Sequence, residues 1–167
     1  LEKIKIKLDL KKIQLFLSTR SPKIFYHGTE IPITEIKVYS NINKILKSQI
    51  EVSKIIFKIE RFKIQDIQKI STRIKPSNFK TYLLNNLQEG EIEKALFDLN
   101  INKDFKLIDY KASGVVKEVN AKIKNNFTIK NISFNFIADS NLTLINSIKA
   151  KYESITIANG SIDLQRK

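Results

Sequence analysis

Apolar and polar residues alternate along most of this chain, and this period of two constrains its fold more than any other feature. The clearest example is 3–10 (KIKIKLDL), where every second residue is isoleucine or leucine. Successive side chains of a β-strand point to opposite faces, so each alternating segment predicts a strand with one apolar face. The sequence therefore predicts a mainly β chain.

The first third predicts short strands. The alternation changes phase after Lys11, where Ile13, Leu15 and Leu17 resume on odd positions, and a bulge or bend near Lys11 would keep both sets on one side. Residues 18–23 are predicted to form a turn, and His27-Gly28 to form a hairpin turn. The remaining predicted elements are strands over 24–26, 31–33, 36–39 and 50–64, with one helical turn within 41–48.

The period changes in the middle of the chain, which predicts a two-helix insert around 64–88. Two stripes of apolar residues are spaced three and four apart, as on one side of a helix. The first stripe ends at Pro76, and the second ends at Gly90, with Ser77 or Asn78 as its N-cap. The stripes consist of Ile64, Ile67, Ile70 and Ile74, and of Phe79, Leu83, Leu84 and Leu87.

Alternation returns over 91–164 and predicts an antiparallel meander. Two long strands, 95–101 and 108–116, are joined around Lys103-Asp104. Shorter strands follow at 127–129, 132–138, 142–152, 155–158 and 161–164. Asn-rich and Gly-containing pairs supply the turns, at 125–126, 139–141 and 159–160. An open curved sheet with a concave apolar side and a closed sandwich both fit this pattern, and periodicity does not choose between them.

Composition excludes several classes of function. The chain has no Cys and one histidine, His27, in a predicted turn, so thiolate chemistry and histidine-rich metal sites are absent from the sequence. Its four glycines are too far apart for a phosphate-binding loop, and no apolar run approaches the roughly 18 residues of a spanning helix. The acidic residues Glu89, Glu91 and Glu93 alternate on what the pattern predicts to be a solvated face. We expect no enzyme, no metal and no cofactor.

The charge of +13 raises the question of an anionic partner. Of the 30 basic residues 26 are Lys, and Arg is the residue that reads bases and phosphates bidentately, so the balance argues against sequence-specific nucleic-acid recognition. Residues 1–83 carry 18 basic and 7 acidic groups, against 12 and 10 in 84–167. An anionic partner would therefore meet the first half.

Three segments stand out: the helix and strand start at Pro76–Ile92 (PSNFKTYLLNNLQEGEI), the strand Tyr110–Val116 (YKASGVV), and the repeated short strands of Leu142–Leu164. Together they resemble the AsmA-like proteins of Gram-negative bacteria, especially the YhdP and TamB branch. The resemblance implies an elongated, curved, largely antiparallel sheet with a taco-like groove. It also implies a periplasmic protein tethered to the inner membrane, whose apolar groove conducts phospholipid towards the outer membrane and supports envelope integrity. Because position 1 is Leu and Met is absent, we expect residues 1–167 to be one segment of a longer repetitive protein.

On this interpretation, the partners are phospholipid acyl chains, and the full-length chain contacts membrane through parts outside this segment. Nucleic acid is not an expected partner. Two alternatives remain open: a basic, β-rich nucleic-acid-binding module, and a ligand-free structural β domain in which the same residues form a closed core. The candidate groove lining consists of Ile4, Ile6, Leu8, Leu10, Phe97, Leu99, Ile101, Ile132, Phe134, Phe136, Ile155, Ile157, Ile162 and Leu164.

Overall fold

A computed structural model describes residues 4–9, 14–49, 51–72, 81, 84–123 and 127–165. The strands are β1 Lys5–Asp9, β2 Gln14–Arg20, β3 Ile24–Tyr26, β4 Thr29–Ile31, β5 Ile33–Asn41, β6 Val52–Lys63, β7 Leu87–Ile101, β8 Leu107–Ile123, β9 Phe127–Asp139, β10 Leu142–Tyr152, β11 Ile155–Ile157 and β12 Ile162–Gln165. The helices with defined bounds are α1 Ile42–Leu46 and α2 Ile64–Ser71. Residue 81 and residues 84–86 are also helical.

Ten of the strands form one antiparallel sheet in the order β1, β2, β5, β6, β7, β8, β9, β10, with β11 and β12 both on the far side of β10. β3 and β4 form a separate two-stranded sheet, and among the described strands they pair only with each other. The predicted mainly β, largely antiparallel fold is confirmed. The sheet stays open, since β1 forms no ladder with β11 or β12 in the described part of the chain.

Two paired strands take the place of the predicted bulge or bend near Lys11. β1 and β2 are separate antiparallel strands, joined through 10–13, which lie outside the described residues. Ile6 lies opposite Leu17, and Leu8 lies opposite Leu15, so the even and odd apolar sets do share one face. β2 also continues to Arg20, through residues predicted to be a turn.

Three features of the middle and last thirds also differ from the prediction. Gly90 lies within β7, with φ +114, so it does not end a helix, and the described helical residues stop at 86. The predicted break between 129 and 132 is instead a bulge in the continuous strand β9, where Asn131 has φ +54. Asn159-Gly160 does not reverse the chain: β11 and β12 keep one direction and one register along β10. The predicted caps at Ser77 and Asn78 and the stop at Pro76 lie outside the described residues.

The β3–β4 hairpin and α2 cover the middle of one sheet face. Ile24 and Ile31 of the hairpin pack against a buried cluster that contains Ile59 and Ala95. Ile64 of α2 is buried in a second cluster, with Val116 as one member. The Gln68 side chain ties the helix to the sheet by donating from Nε2 to the Leu87 carbonyl oxygen at 2.7 Å.

This cover buries little of the molecule. The accessible surface is 12177 Å² for a mass of 19.3 kDa, whereas a globular monomer of that mass exposes roughly 8,500 Å². The open sheet contributes to this excess, because in the described part of the chain only the short hairpin and helix cover one of its faces.

Candidate functional site

The strand registers bring residues from eight strands, six of them apolar, into one continuous row. Cross-strand partners share a face, so the row can be followed pair by pair across the sheet. It is hydrophobic apart from two threonines. Its members are Thr19, Ile36, Phe57, Phe97, Ala112, Ala138, Thr143 and Leu164. We call this side of the sheet the apolar face.

The opposite side, the polar face, is charged. The row one position away along the strands consists of Lys5, Ser18, Lys37, Ile56, Asp98, Lys111 and Asp139. Its one apolar member is Ile56. The two rows differ in polarity because successive residues of a strand point to opposite faces of the sheet.

The described residues of the predicted groove lining lie on the apolar face, by register or by alternation along their strands. They are Ile4, Ile6, Leu8, Phe97, Leu99, Ile101, Ile132, Phe134, Phe136, Ile155, Ile157, Ile162 and Leu164. Leu10 lies outside the described residues.

This lining divides into a covered and an uncovered part. Phe97, Ile132, Phe134 and Phe136 pack against the two buried clusters under the hairpin and α2. The residues at both edges of the sheet are open to solvent: Ile6 is 67% exposed on β1, and the β11–β12 residues are about half exposed. The closed-core alternative therefore describes the middle of the face and not its edges.

A second apolar row, which we call the open row, lies on the apolar face outside both clusters. It runs over six strands through Ile6, Leu17, Val38, Ile55, Leu99 and Tyr110. The hairpin and α2 both start from the opposite ends of these strands, near the Arg20–Glu35 and Lys63–Glu91 pairs. In the described part of the chain, the hairpin and α2 pack against rows near the ends from which they start. The open row belongs to neither of the two buried clusters.

Aromatic pairs occur on both faces. Phe57 and Phe97 stack on the apolar face, with ring centroids 4.7 Å apart. Phe16 and Tyr39 stack on the polar face at 5.1 Å, where Lys7 lies opposite Phe16. The Tyr39 ring therefore lies among lysines, with Lys54 as its partner on β6. A depression of about 650 Å³ beside this pair includes lysines and Arg20 in its lining.

Glu35, Glu91, Glu93 and Asp98 form ion pairs on the strands, and Glu93 is buried. Glu93 is only 8% exposed, which corrects the prediction of a solvated Glu89, Glu91 and Glu93 face. Its Oε2 lies 2.6 Å from Lys117 Nζ, and its Oε1 lies 3.1 Å from Arg61 Nη2. The hydrogen bond from Lys117, reinforced by Arg61, holds the pKa of Glu93 below its ordinary value of 4.5. Glu93 therefore forms structural ion pairs with Lys117 and Arg61.

The described residues contain no group of three or more His, Cys, Asp or Glu side chains that could hold a metal ion. His27 lies in the β3–β4 turn, with φ +48, and its ring meets Tyr26 edge-on at 4.6 Å. Among the described helices, none has the length and apolarity needed to cross a membrane.

Comparisons with family models, with curated proteins and with solved structures found no match to this chain. The resemblance to AsmA-like proteins thus remains a prediction from the sequence.

Proposed function

We propose that this chain is part of a non-enzymatic lipid conduit in which the apolar face binds phospholipid acyl chains. The observation that carries the proposal is the continuity of that face: apolar residues follow one another strand by strand, and no second sheet covers them in the described part of the chain. Such a surface holds a tail along its length without a closed pocket.

The dimensions suit an acyl chain. Six adjacent strands at about 4.8 Å make the open row about 24 Å long. One leaflet of bilayer hydrocarbon is roughly 15 Å thick, half of the full core. Each methylene removed from water contributes about 0.8 kcal/mol, so a tail along the row gains free energy at every position and can slide between equivalent positions. The phosphate headgroup would remain in water.

The proposal extends to the setting that the sequence resemblance implies. The conduit would work in the periplasm, as part of a longer chain tethered to the inner membrane, and would move phospholipid between the inner and outer membranes. The open edges at β1 and β11–β12 support this reading, because further strands of such a chain could extend the sheet there. No residue of the apolar face needs to act as an acid, base or nucleophile.

The experiment compares lipid binding in matched surface variants. Ile6→Asn combined with Leu17→Asn makes two cross-strand partners of the open row polar, and both positions are at least 40% exposed. Ile137→Asn is the control, since Ile137 is 56% exposed but pairs with Ser113 and Leu144 on the polar face. Binding of a fluorescent phospholipid and native mass spectrometry are the readouts.

We expect bound phospholipid in the unmodified protein and in Ile137→Asn. The double variant should bind about tenfold more weakly, for the loss of roughly two methylene contacts. Circular dichroism checks that both variants keep their β structure. Delipidated protein that takes up no lipid, or equal weakening by both variants, contradicts the proposal and favours a ligand-free structural domain.

A nucleic-acid-binding function is the second candidate, and the Phe16–Tyr39 pair is the observation that favours it. Lysines flank this pair in the register row, with Lys7 on one side and Lys54 on the other. Both rings are half-buried, and aromatic rings among basic residues are typical of single-strand binding surfaces. This function predicts an oligonucleotide affinity that falls steeply with salt and is lost in Phe16→Ala.

A further inference from the structure

Two neighbouring connections at one end of the sheet each expose a large apolar side chain. The β5–β6 connection contains α1, and the β7–β8 connection is the turn 102–106. They are adjacent because β6 pairs with β7 up to this end, where Lys54 lies opposite Asn100. Leu46 in the first is 77% exposed, and Phe105 in the second is 73% exposed.

The backbone of the β7–β8 turn fixes the position of Phe105. The Phe105 N–H donates to the Asn102 carbonyl oxygen at 3.0 Å, and the Asn102 N–H donates to the Lys106 carbonyl oxygen at 2.9 Å. The Asn102 side-chain oxygen accepts from the N–H groups of Asp104 and Lys106 at 3.0 and 2.9 Å. Phe105 is thereby held in the left-handed region, with φ +57.

The residue type at this position is unexpected for a turn. Left-handed positions of hairpin turns usually carry Gly, Asn or Asp, and a bulky residue there is an outlier. Leu107 and Ile108, the next apolar residues, are also exposed, at 55% and 66%. Single exposed apolar side chains are ordinary on protein surfaces, but three within four residues on a hydrogen-bonded tip are not.

Lysines surround these apolar tips. Lys103 and Lys106 flank Phe105, and Lys44 and Lys47 flank Leu46. The acidic groups of the two connections are Asp104 and Glu51, and Glu51 already pairs with Lys44 at 3.4 Å. Apolar side chains that enter the acyl boundary, with lysines at headgroup level, are the pattern by which proteins bind anionic membrane surfaces.

We propose that this end of the sheet, formed by Leu46, Phe105 and their flanking lysines, docks onto an anionic lipid bilayer. Phe105 and Leu46 enter the interface, and the lysines bind lipid phosphates. The resemblance to AsmA-like proteins implies membrane contact outside this segment, whereas Leu46 and Phe105 lie within it. It does not rest on the proposed lipid conduit, because the turn tips are distinct from the open row.

The chain contains no Trp, so single-Trp variants report each position separately. The Trp emission of Phe105→Trp reports the environment of the β7–β8 turn. Phe25→Trp is the matched control, since Phe25 is also an exposed phenylalanine, 62%, but lies on the β3–β4 hairpin. Ile6→Trp reports the apolar face. Each variant is titrated with vesicles of phosphatidylcholine alone and of phosphatidylcholine with phosphatidylglycerol in equal parts.

We expect the emission of Phe105→Trp to shift to the blue with the anionic vesicles only, and that of Phe25→Trp to stay unchanged. Adding Lys103→Gln and Lys106→Gln should weaken vesicle binding about thirtyfold, at about 1 kcal/mol for each lysine. Raising the salt from about 0.05 M to about 0.5 M should weaken it as well.

An unchanged Phe105→Trp spectrum overturns the inference, as does an equal shift with neutral vesicles. A shift confined to Ile6→Trp overturns it too and leaves the conduit proposal standing. A Phe105→Trp response to an oligonucleotide but not to vesicles assigns the tip to a different polyanion and also overturns it.

Discussion

Gly114 on β8 gives a sharp test of the register that builds the apolar face. A Cβ at this position would lie 2.9 Å from Cε1 of Phe136 and 3.3 Å from Cα of Ala95. These neighbours come from the two strands that flank β8, so the close approach exists only if β7, β8 and β9 pair as described. Gly114→Ala should therefore force the Phe136 ring out of its packed position.

Overpacking of this kind destabilises by about 1 to 3 kcal/mol. For a chain of this length, each kcal/mol lowers the melting temperature by about 2 to 4 °C. The assay is urea unfolding, with the midpoint and slope fitted separately. Phe136→Leu in the same chain removes the ring atoms that the new methyl group meets, so the double variant should lose less stability than the sum of the two single variants.

Gly28→Ala is the control, because nothing lies within 4 Å of a Cβ there and its φ is +81. That substitution tests backbone strain without a steric clash, at about 1 kcal/mol. A Gly114→Ala protein as stable as the unmodified one, or simple additivity with Phe136→Leu, refutes the register.

Three further predictions follow from other contacts. Gly90→Ala should destabilise by more than Gly28→Ala, because it combines φ +114 with a Cβ 2.5 Å from Cγ2 of Val119; the measurement is again urea unfolding. Phe105→Gly should raise the free energy of unfolding by about 1 kcal/mol, since glycine adopts φ +57 without strain, and unchanged or lower stability in thermal unfolding would contradict this. Because the pKa of Glu93 is lowered, its ionised form stabilises the fold at pH values above the ordinary pKa of 4.5. This contribution is lost as the pH falls through the lower pKa of the folded state. The free energy of unfolding should therefore decrease in acid, and it should decrease less in Glu93→Gln.

The sequence predicted several element boundaries correctly because turn residues and helix caps next to the element determine them. The bounds of β10, Leu142–Tyr152, follow from the flanking turns, and β3 ends at the His27-Gly28 turn, where both residues have positive φ. The helical turn within 41–48 is α1, with the Asn41 side chain accepting from the Asn43 N–H.

The errors concern features that a single strand does not encode. In the β1–β2 pair, an even-numbered residue such as Ile6 lies opposite an odd-numbered residue such as Leu17. Even positions on one strand therefore share a face with odd positions on the next. A phase change therefore has the same pattern whether the chain bulges or turns back. Asn131 reverses the alternation within β9 by its left-handed backbone, and its residue type alone did not distinguish a bulge from a turn.

The predicted lining covers only part of the apolar face, since it omits Leu17, Val38, Ile55 and Tyr110 of the open row. Alternation was enough to assign the described lining residues to one face. It carried no information on which of them α2 and the β3–β4 hairpin cover, since that packing joins residues far apart in the chain, such as Ile64 and Val116. The burial of Glu93 also depends on Lys117, from the neighbouring strand.

The most direct test of the account uses phospholipids that carry bromine atoms on their acyl chains, which quench nearby Trp fluorescence. Single Trp residues are placed at Ile6 and Leu164 on opposite edges of the apolar face, and at Ile137 on the polar face. The account predicts quenching at Ile6 and Leu164, with no effect at Ile137. Equal quenching at all three positions, or none at Ile6 and Leu164, would contradict it.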